Sequence, residues 1–182
     1  DKNVSIFASH FSPSIFLLSP LYWFTDKREV LLIAQSALTG LGAYIAFLIA
    51  RKSVKNKLAV FSLVFAFLGY VGLQNGLISE FHDTTFSVLP LMLVFWAILN
   101  RKWLLYFIAL VILLGLKESF AGLGVGIGIY LLIKEKKYYK IALLTVLISI
   151  IWGYLALKVV IPYFSGGVYL YENHNLPTNP AE

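Results

Sequence analysis

The chain has 182 residues, 59% of them hydrophobic and 13% charged, with a mean hydropathy of +0.81, which excludes a water-soluble domain and describes a polytopic membrane protein. The formal charge of +6 would suggest nucleic acid in a soluble protein, but here the cations sit in short loops between apolar runs, where topology explains them and no nucleic-acid partner is expected. The absence of cysteine excludes disulfides, thiol nucleophiles and thiolate metal sites.

The chain opens at Asp1 without a methionine or a basic-then-apolar leader, and it is expected to be part of a longer protein. His10 lies in Ala-Ser-His-Phe-Ser-Pro, just ahead of an apolar segment at 11–24 that is too short to cross a bilayer. Pro13 and Pro20 each follow a serine, as at helix starts. The segment therefore reads as an interfacial or re-entrant helix on the outer side, with Tyr22, Trp23 and Phe24 at headgroup level. Asp26 and Glu29 have the spacing of a capping box that would open the first span.

Apolar runs follow at about 30–50, 58–78, 84–99, 104–116, 120–133 and 141–163, each a candidate transmembrane helix, so six crossings are expected. The expected class is an all-α transmembrane helical bundle with three regions: an extracytoplasmic segment 1–29 with its interfacial helix, a membrane core 30–163 and an extracytoplasmic tail 164–182.

Ten of the 15 Lys and Arg residues lie in three alternate loops, at Arg51 to Lys57, at Arg101 and Lys102, and at Lys134 to Lys140. The expectation is that these loops are cytoplasmic. All the acids except Glu135 then fall on the opposite side, together with His10, the Glu80 loop, the Lys117 loop and the tail. Reading 104–133 as one long broken helix would put the strongest basic cluster outside, so a hairpin is expected. The 14 residues of 120–133 reach only about 21 Å against a hydrocarbon core of about 30 Å. Lys117 and Glu118 should accordingly lie below the outer surface in a cavity, and the short run at 84–99 gives His82 and Asp83 a similar depth. Local thinning of the bilayer is the competing explanation.

The string Leu77-Ile-Ser-Glu80-Phe-His82-Asp83 sets three ionisable groups in a break between apolar runs. Such a group near the middle of a span costs about 3 kcal/mol, so it usually faces a cavity and carries function. In a helical loop Glu80 and Asp83 would share one face, suited to a divalent cation or to general-base work. The plain alternative is a wet, charged outer loop. Lys117 and Glu118 interrupt the next apolar stretch, and as neighbours they cannot face each other on a helix, so each needs a partner elsewhere. A partly withdrawn ammonium such as Lys117 suits a phosphate; the alternative is a snorkelling lysine beside a solvated glutamate. Gly122, Gly124, Gly126 and Gly128 look outwardly like a phosphate loop but lack its strand-turn-helix context. Two interleaved small-xxx-small pairs describe a closely packed helix instead. Lys158 reads as snorkelling from the last span.

His10-Phe-Ser-Pro13 ahead of an apolar Leu-Tyr segment, the Glu80-Phe-His82-Asp83 loop before a span with Pro90, the Leu116-Lys-Glu-Ser119 break and the Val159-Val-Ile-Pro-Tyr-Phe164 end resemble the prokaryotic membrane proteins called domain of unknown function 2079. That family in turn resembles the GT-C glycosyltransferases, which take a sugar from a polyprenyl-phosphate carrier on the outer face of the plasma membrane. The resemblance implies an outer cavity with catalytic carboxylates Glu80, Asp83 and Glu118, substrate contacts from Lys117, His82 and His10, and Glu80 and Asp83 as ligands of a divalent cation, Mg or Mn. In place of the family's frequent proline after the loop histidine and further acid after Lys-Glu, this chain has Asp83 and Ser119. The first acidic motif usual in GT-C enzymes would precede Asp1. The rival readings are a transporter or lipid flippase whose charges line a path, and a membrane subunit without chemistry. No internal repeat supports a transporter, and the ionisable clusters all lie toward one face.

Overall fold

The structure, a computed structural model, describes residues 6–78 and 81–166, with Ile6 through its backbone only. Every regular element among the described residues is helical. The chain divides into two compact units, residues 13–116 and residues 1–12 with 117–182.

In the unit 13–116 a 3-10 helix, Pro13–Trp23, leads into α1 (Glu29–Ser53). The segment is tied down at its start, where the Ser14 N–H donates to the Gly115 carbonyl at 2.8 Å. Phe16, Leu17, Tyr22 and Trp23 stay exposed, as an apolar strip in contact with lipid would. The capping box expected of Asp26 is not formed. Helix α1 begins at Glu29 with Arg28 in the N-cap position and no side-chain cap, so Asp26 lies too far upstream to reach the first free N–H groups.

Helix α1 buries Gln35, Thr39, Gly42 and Ala43 while Ile33, Leu41 and Tyr44 are exposed. Polar and small residues inside with large apolar ones outside is the pattern of a helix in lipid, where close backbone approach and hydrogen bonds replace hydrophobic burial. A Cβ on Gly42 would stand 2.7 Å from Val88 Cγ1 and 3.2 Å from the Leu89 nitrogen, so glycine lets α1 meet the head of α4 (Val88–Asn100).

The run expected at 58–78 is broken into α2 (Lys57–Leu68) and α3 (Val71–Ile78), bent by 48°. At the break the Leu68 carbonyl is taken by the Gln74 side-chain amide at 2.5 Å, the kind of substitute partner that lets a kink persist in lipid. A short 3-10 turn, Asp83–Ser87, runs into α4, and α5 (Trp103–Leu114) follows after Arg101 in a left-handed conformation. Lys52 Nζ donates to the Leu99 carbonyl at 3.0 Å and to Asn100 Oδ1 at 2.9 Å. The C-terminal ends of α1 and α4 therefore meet, and the first two basic loops lie at one end of this unit.

The other unit contains α6 (Phe120–Lys134), a short 3-10 turn Lys136–Tyr138, α7 (Tyr139–Tyr154), a π-helical stretch Leu155–Val160 and α8 (Ile161–Ser165). Helices α6 and α7 pack against each other at Gly128, where a Cβ would lie 2.5 Å from Val146 Cγ2 and 3.1 Å from the Ala142 carbonyl. Gly124 and Gly128 are buried, whereas Gly122 and Gly126 are exposed. One of the two expected small-residue stripes is thus used for packing within the unit. Thr145 and Ser149 on α7 are buried and return their hydroxyls to the carbonyls four residues earlier, at 2.8 Å each.

Three helical stretches, Glu29–Ser53, Asp83–Asn100 and Lys136–Ser165, are long and apolar enough to cross a membrane, and the bent pair α2 and α3 makes up to four. The six expected crossings exceed this number because α5 and α6, with 12 and 15 residues, extend only about 18 and 22 Å, short of a hydrocarbon core of about 30 Å.

Candidate functional site

In the unit formed by residues 1–12 and 117–182 the structure joins two groups 108 positions apart in sequence. His10 Nδ1 and Glu118 Oε1 are 2.9 Å apart, and the Phe11 N–H donates to Glu118 Oε2 at 3.3 Å. Glu118 is only 9% exposed, against 22% for His10. Buried carboxylates require partners for both oxygens, and here one chain segment supplies them. An ionised carboxylate can only accept, so Nδ1 carries a proton whenever Glu118 is charged. Position 118 also lies just before α6, where the helix dipole favours an anion.

The segment bearing His10 is held by aromatic packing. Phe11 stacks on Trp152 of α7 at 5.4 Å, and Phe7 lies against Phe11 at 5.8 Å and against Phe164 of α8 at 5.6 Å. Just before α8 the helix widens into the π-helical stretch that carries the exposed Lys158, a local expansion frequent at functional sites. Lys117 is half-buried, and among the described residues it has no ion pair.

In the unit 13–116, His82 and Asp83 lead into α4. Gln35, fully buried on α1, accepts from the His82 N–H through Oε1 at 2.9 Å and donates Nε2 to the Gly76 carbonyl at 2.9 Å. One amide thereby clamps the end of α3 to the start of the next turn. The His82 carbonyl receives both the Thr85 N–H at 3.1 Å and the Thr85 hydroxyl at 2.6 Å. The His82 side chain is exposed, and Asp83 is half-buried with no ion pair among the described residues. Tyr70, Asn75, His82, Thr84 and Thr85 share with Phe67, Leu73 and Val88 the lining of a mostly apolar cavity of about 520 Å³.

Of the six expected site residues, the structure pairs His10 with Glu118 and sets His82 beside Asp83, with Lys117 next to Glu118. Glu80 lies outside the described residues. Among the described residues no group of three His, Asp or Glu side chains is assembled for a metal, so the tentative pair Glu80 and Asp83 keeps Asp83 as its described half. Sequence reading missed Gln35 and the direct bond between His10 and Glu118. Gln35 did carry a signal, as the lone amide within Leu-Leu-Ile-Ala-Gln-Ser-Ala.

The model of the predicted membrane protein family DUF2079 matches residues 2–174. The chain belongs to this family. The match takes in all six expected site residues, so the His10-Phe-Ser-Pro13 and Leu116-Lys-Glu-Ser119 stretches stand within the DUF2079 region. No curated protein and no solved structure matches the chain.

Proposed function

We propose that the protein is part of a membrane enzyme that transfers a sugar from a polyprenyl-phosphate carrier on the extracytoplasmic face of a prokaryotic plasma membrane, in the manner of the GT-C glycosyltransferases its motifs resemble. The observation that carries this reading is the buried Glu118 carboxylate bonded to His10 and followed back along the chain by the half-buried Lys117. A pair that can take the acceptor proton and an ammonium without an ion pair among the described residues serve the two demands of transfer from a phosphate carrier, activation of the acceptor and stabilisation of the departing phosphate.

In the transfer, the bond between the sugar anomeric carbon and the carrier phosphate oxygen breaks. A bond from the acceptor oxygen to that carbon forms, the acceptor proton passes to the His10–Glu118 pair, and polyprenyl phosphate leaves with the electron pair. Glu118 fixes the orientation of the imidazole. Lys117 neutralises charge developing on the phosphate. In the unit 13–116, the exposed His82 imidazole, set with Thr84 and Thr85 at a mostly apolar cavity, is assigned to sugar hydroxyls. Asp83, half-buried and without an ion pair among the described residues, fits a hard divalent cation such as Mg or Mn, with Glu80 as the second ligand.

The test is release of polyprenyl phosphate from a synthetic polyprenyl-phosphate sugar by the full-length protein, with cell membranes as the source of acceptor. Lys117→Ala and Asp83→Ala are expected to slow release by about 100-fold or more, the usual scale for removing a catalytic charge. Release at the unaltered rate in both variants would remove the assignment.

A further inference from the structure

A cavity of about 520 Å³ opens at the turn between α1 and α2. Arg51, Lys55 and Lys57 line it without any carboxylate, over an apolar floor that includes Phe47, Val60 and Phe61. The floor is built: the Phe47 and Phe61 rings lie 5.7 Å apart across the two helices, and the Arg51 guanidinium stands 5.5 Å over Phe47. The turn is fixed as well, because Asn56 Oδ1 accepts from the Leu58 and Ala59 N–H groups at 2.9 and 3.3 Å. That cap holds positions 55 and 57 on either side of it.

A preference for basic residues in a cytoplasmic loop explains the charge but not its arrangement. Lys52, the fourth cation of the same loop, is occupied with Leu99 and Asn100, whereas the other three have no ion pair among the described residues. Beside the cavity, Leu58, Phe61 and Phe65 are 75%, 62% and 81% exposed. A ligand that fits must therefore bring an anionic head to the three cations and an apolar body to the adjoining helix face.

We infer that this cavity binds the phosphate headgroup of an anionic phospholipid, with an acyl chain lying along the Phe61 and Phe65 side of α2. Basic pockets between membrane helices take anionic headgroups in this way, and a guanidinium offers the phosphate two parallel donors where an ammonium offers a point charge. The site is independent of the sugar chemistry proposed above.

Native mass spectrometry of the full-length protein in detergent, titrated with phosphatidylglycerol or phosphatidylcholine, tests it. Each cation near an anionic lipid contributes up to about fivefold to binding, but phosphatidylcholine carries the same phosphate and only part of that gain discriminates, so the wild type should retain phosphatidylglycerol on the order of tenfold better than phosphatidylcholine. The double variant Lys55→Gln with Lys57→Gln should fall to near parity. Lys136→Gln with Lys137→Gln, the same charge change in another loop, should keep the preference. Thermal unfolding without added lipid checks that the variants fold; should the first double variant not fold, Arg51→Gln alone is expected to lower the preference severalfold. Equal retention of both lipids by the wild type, or equal loss in the two double variants, would overturn the inference. Displacement of phosphatidylglycerol by millimolar inorganic phosphate would also overturn it, by showing a small-anion site.

Discussion

At the scale of single residues, Glu118 holds the N-terminal segment in place as well as carrying charge, and two substitutions separate the roles. Glu118→Ala removes the acceptor for both His10 Nδ1 and the Phe11 N–H, and should cost about 1.5–3 kcal/mol in a denaturant or thermal unfolding measurement in detergent. Glu118→Gln can keep both bonds if the imidazole moves its proton to the other nitrogen, because the amide then donates to Nδ1 and its carbonyl accepts from Phe11. Its stability should stay within about 1 kcal/mol of wild type while release of polyprenyl phosphate falls as far as in the alanine variant. A glutamine variant with full activity would make Glu118 a structural residue only. Gln35 offers a second case. Gln35→Leu removes the side-chain bonds to the His82 N–H and the Gly76 carbonyl, and should lower stability by about 1–3 kcal/mol and raise hydrogen exchange at residues 82–85 above that of α4.

At the scale of elements, the two glycine stripes of α6 give opposite expectations. Gly128→Ala drives a Cβ to within 3.1–3.2 Å of the Ala142 carbonyl and the Val146 nitrogen, main-chain atoms that cannot rotate aside, so α6 and α7 must part at a cost of about 1–3 kcal/mol. Gly126→Ala meets nothing within 4 Å and should change stability by less than about 0.5 kcal/mol. Unfolding midpoints of the two variants decide the matter; equal losses would mean that the exposed stripe is also packed. The small-residue motif was legible in the sequence because its spacing follows the helical period. Which stripe faces α7 was not, since that depends on where Val146 arrives from a neighbouring helix. Helix boundaries were legible for the same local reason, most closely at α6 and at the stretch 83–100. The bend between α2 and α3 was hidden because it rests on a side chain, Gln74, that reaches back to Leu68. The bond from His10 to Glu118 was beyond sequence reasoning: each residue was marked as unusual, but nothing local encodes a contact across 108 positions.

For the whole molecule the open question is how the chain alternates across the bilayer. In the unit 13–116 the bonds of Lys52 to Leu99 and Asn100 bring the first two basic loops to one end, so α2 with α3 must return the chain to the level of His82. Gln35 fixes that level along α1: the 17 residues from Gln35 to Lys52 amount to about 25 Å of helix, nearly the thickness of a hydrocarbon core. The bent pair therefore behaves as one crossing. Charge predicts that the third basic loop, Lys134 to Lys140, is cytoplasmic like the first two, which short α5 and α6 would achieve only if each traverses a thinned bilayer or a protein-lined cavity. These 182 residues contain no cysteine, so once any cysteine elsewhere in the full-length protein is replaced by serine, single thiols placed at Ser53, Thr84, Ser119 and Lys136 report their side without background. Modification by a membrane-impermeant maleimide in intact cells is expected at Thr84→Cys and Ser119→Cys, and only after membrane disruption at Ser53→Cys and Lys136→Cys. Labelling of Lys136→Cys from outside would mean that α5 and α6 together make a single broken crossing, and it would carry the strongest basic cluster to the outer face against its charge.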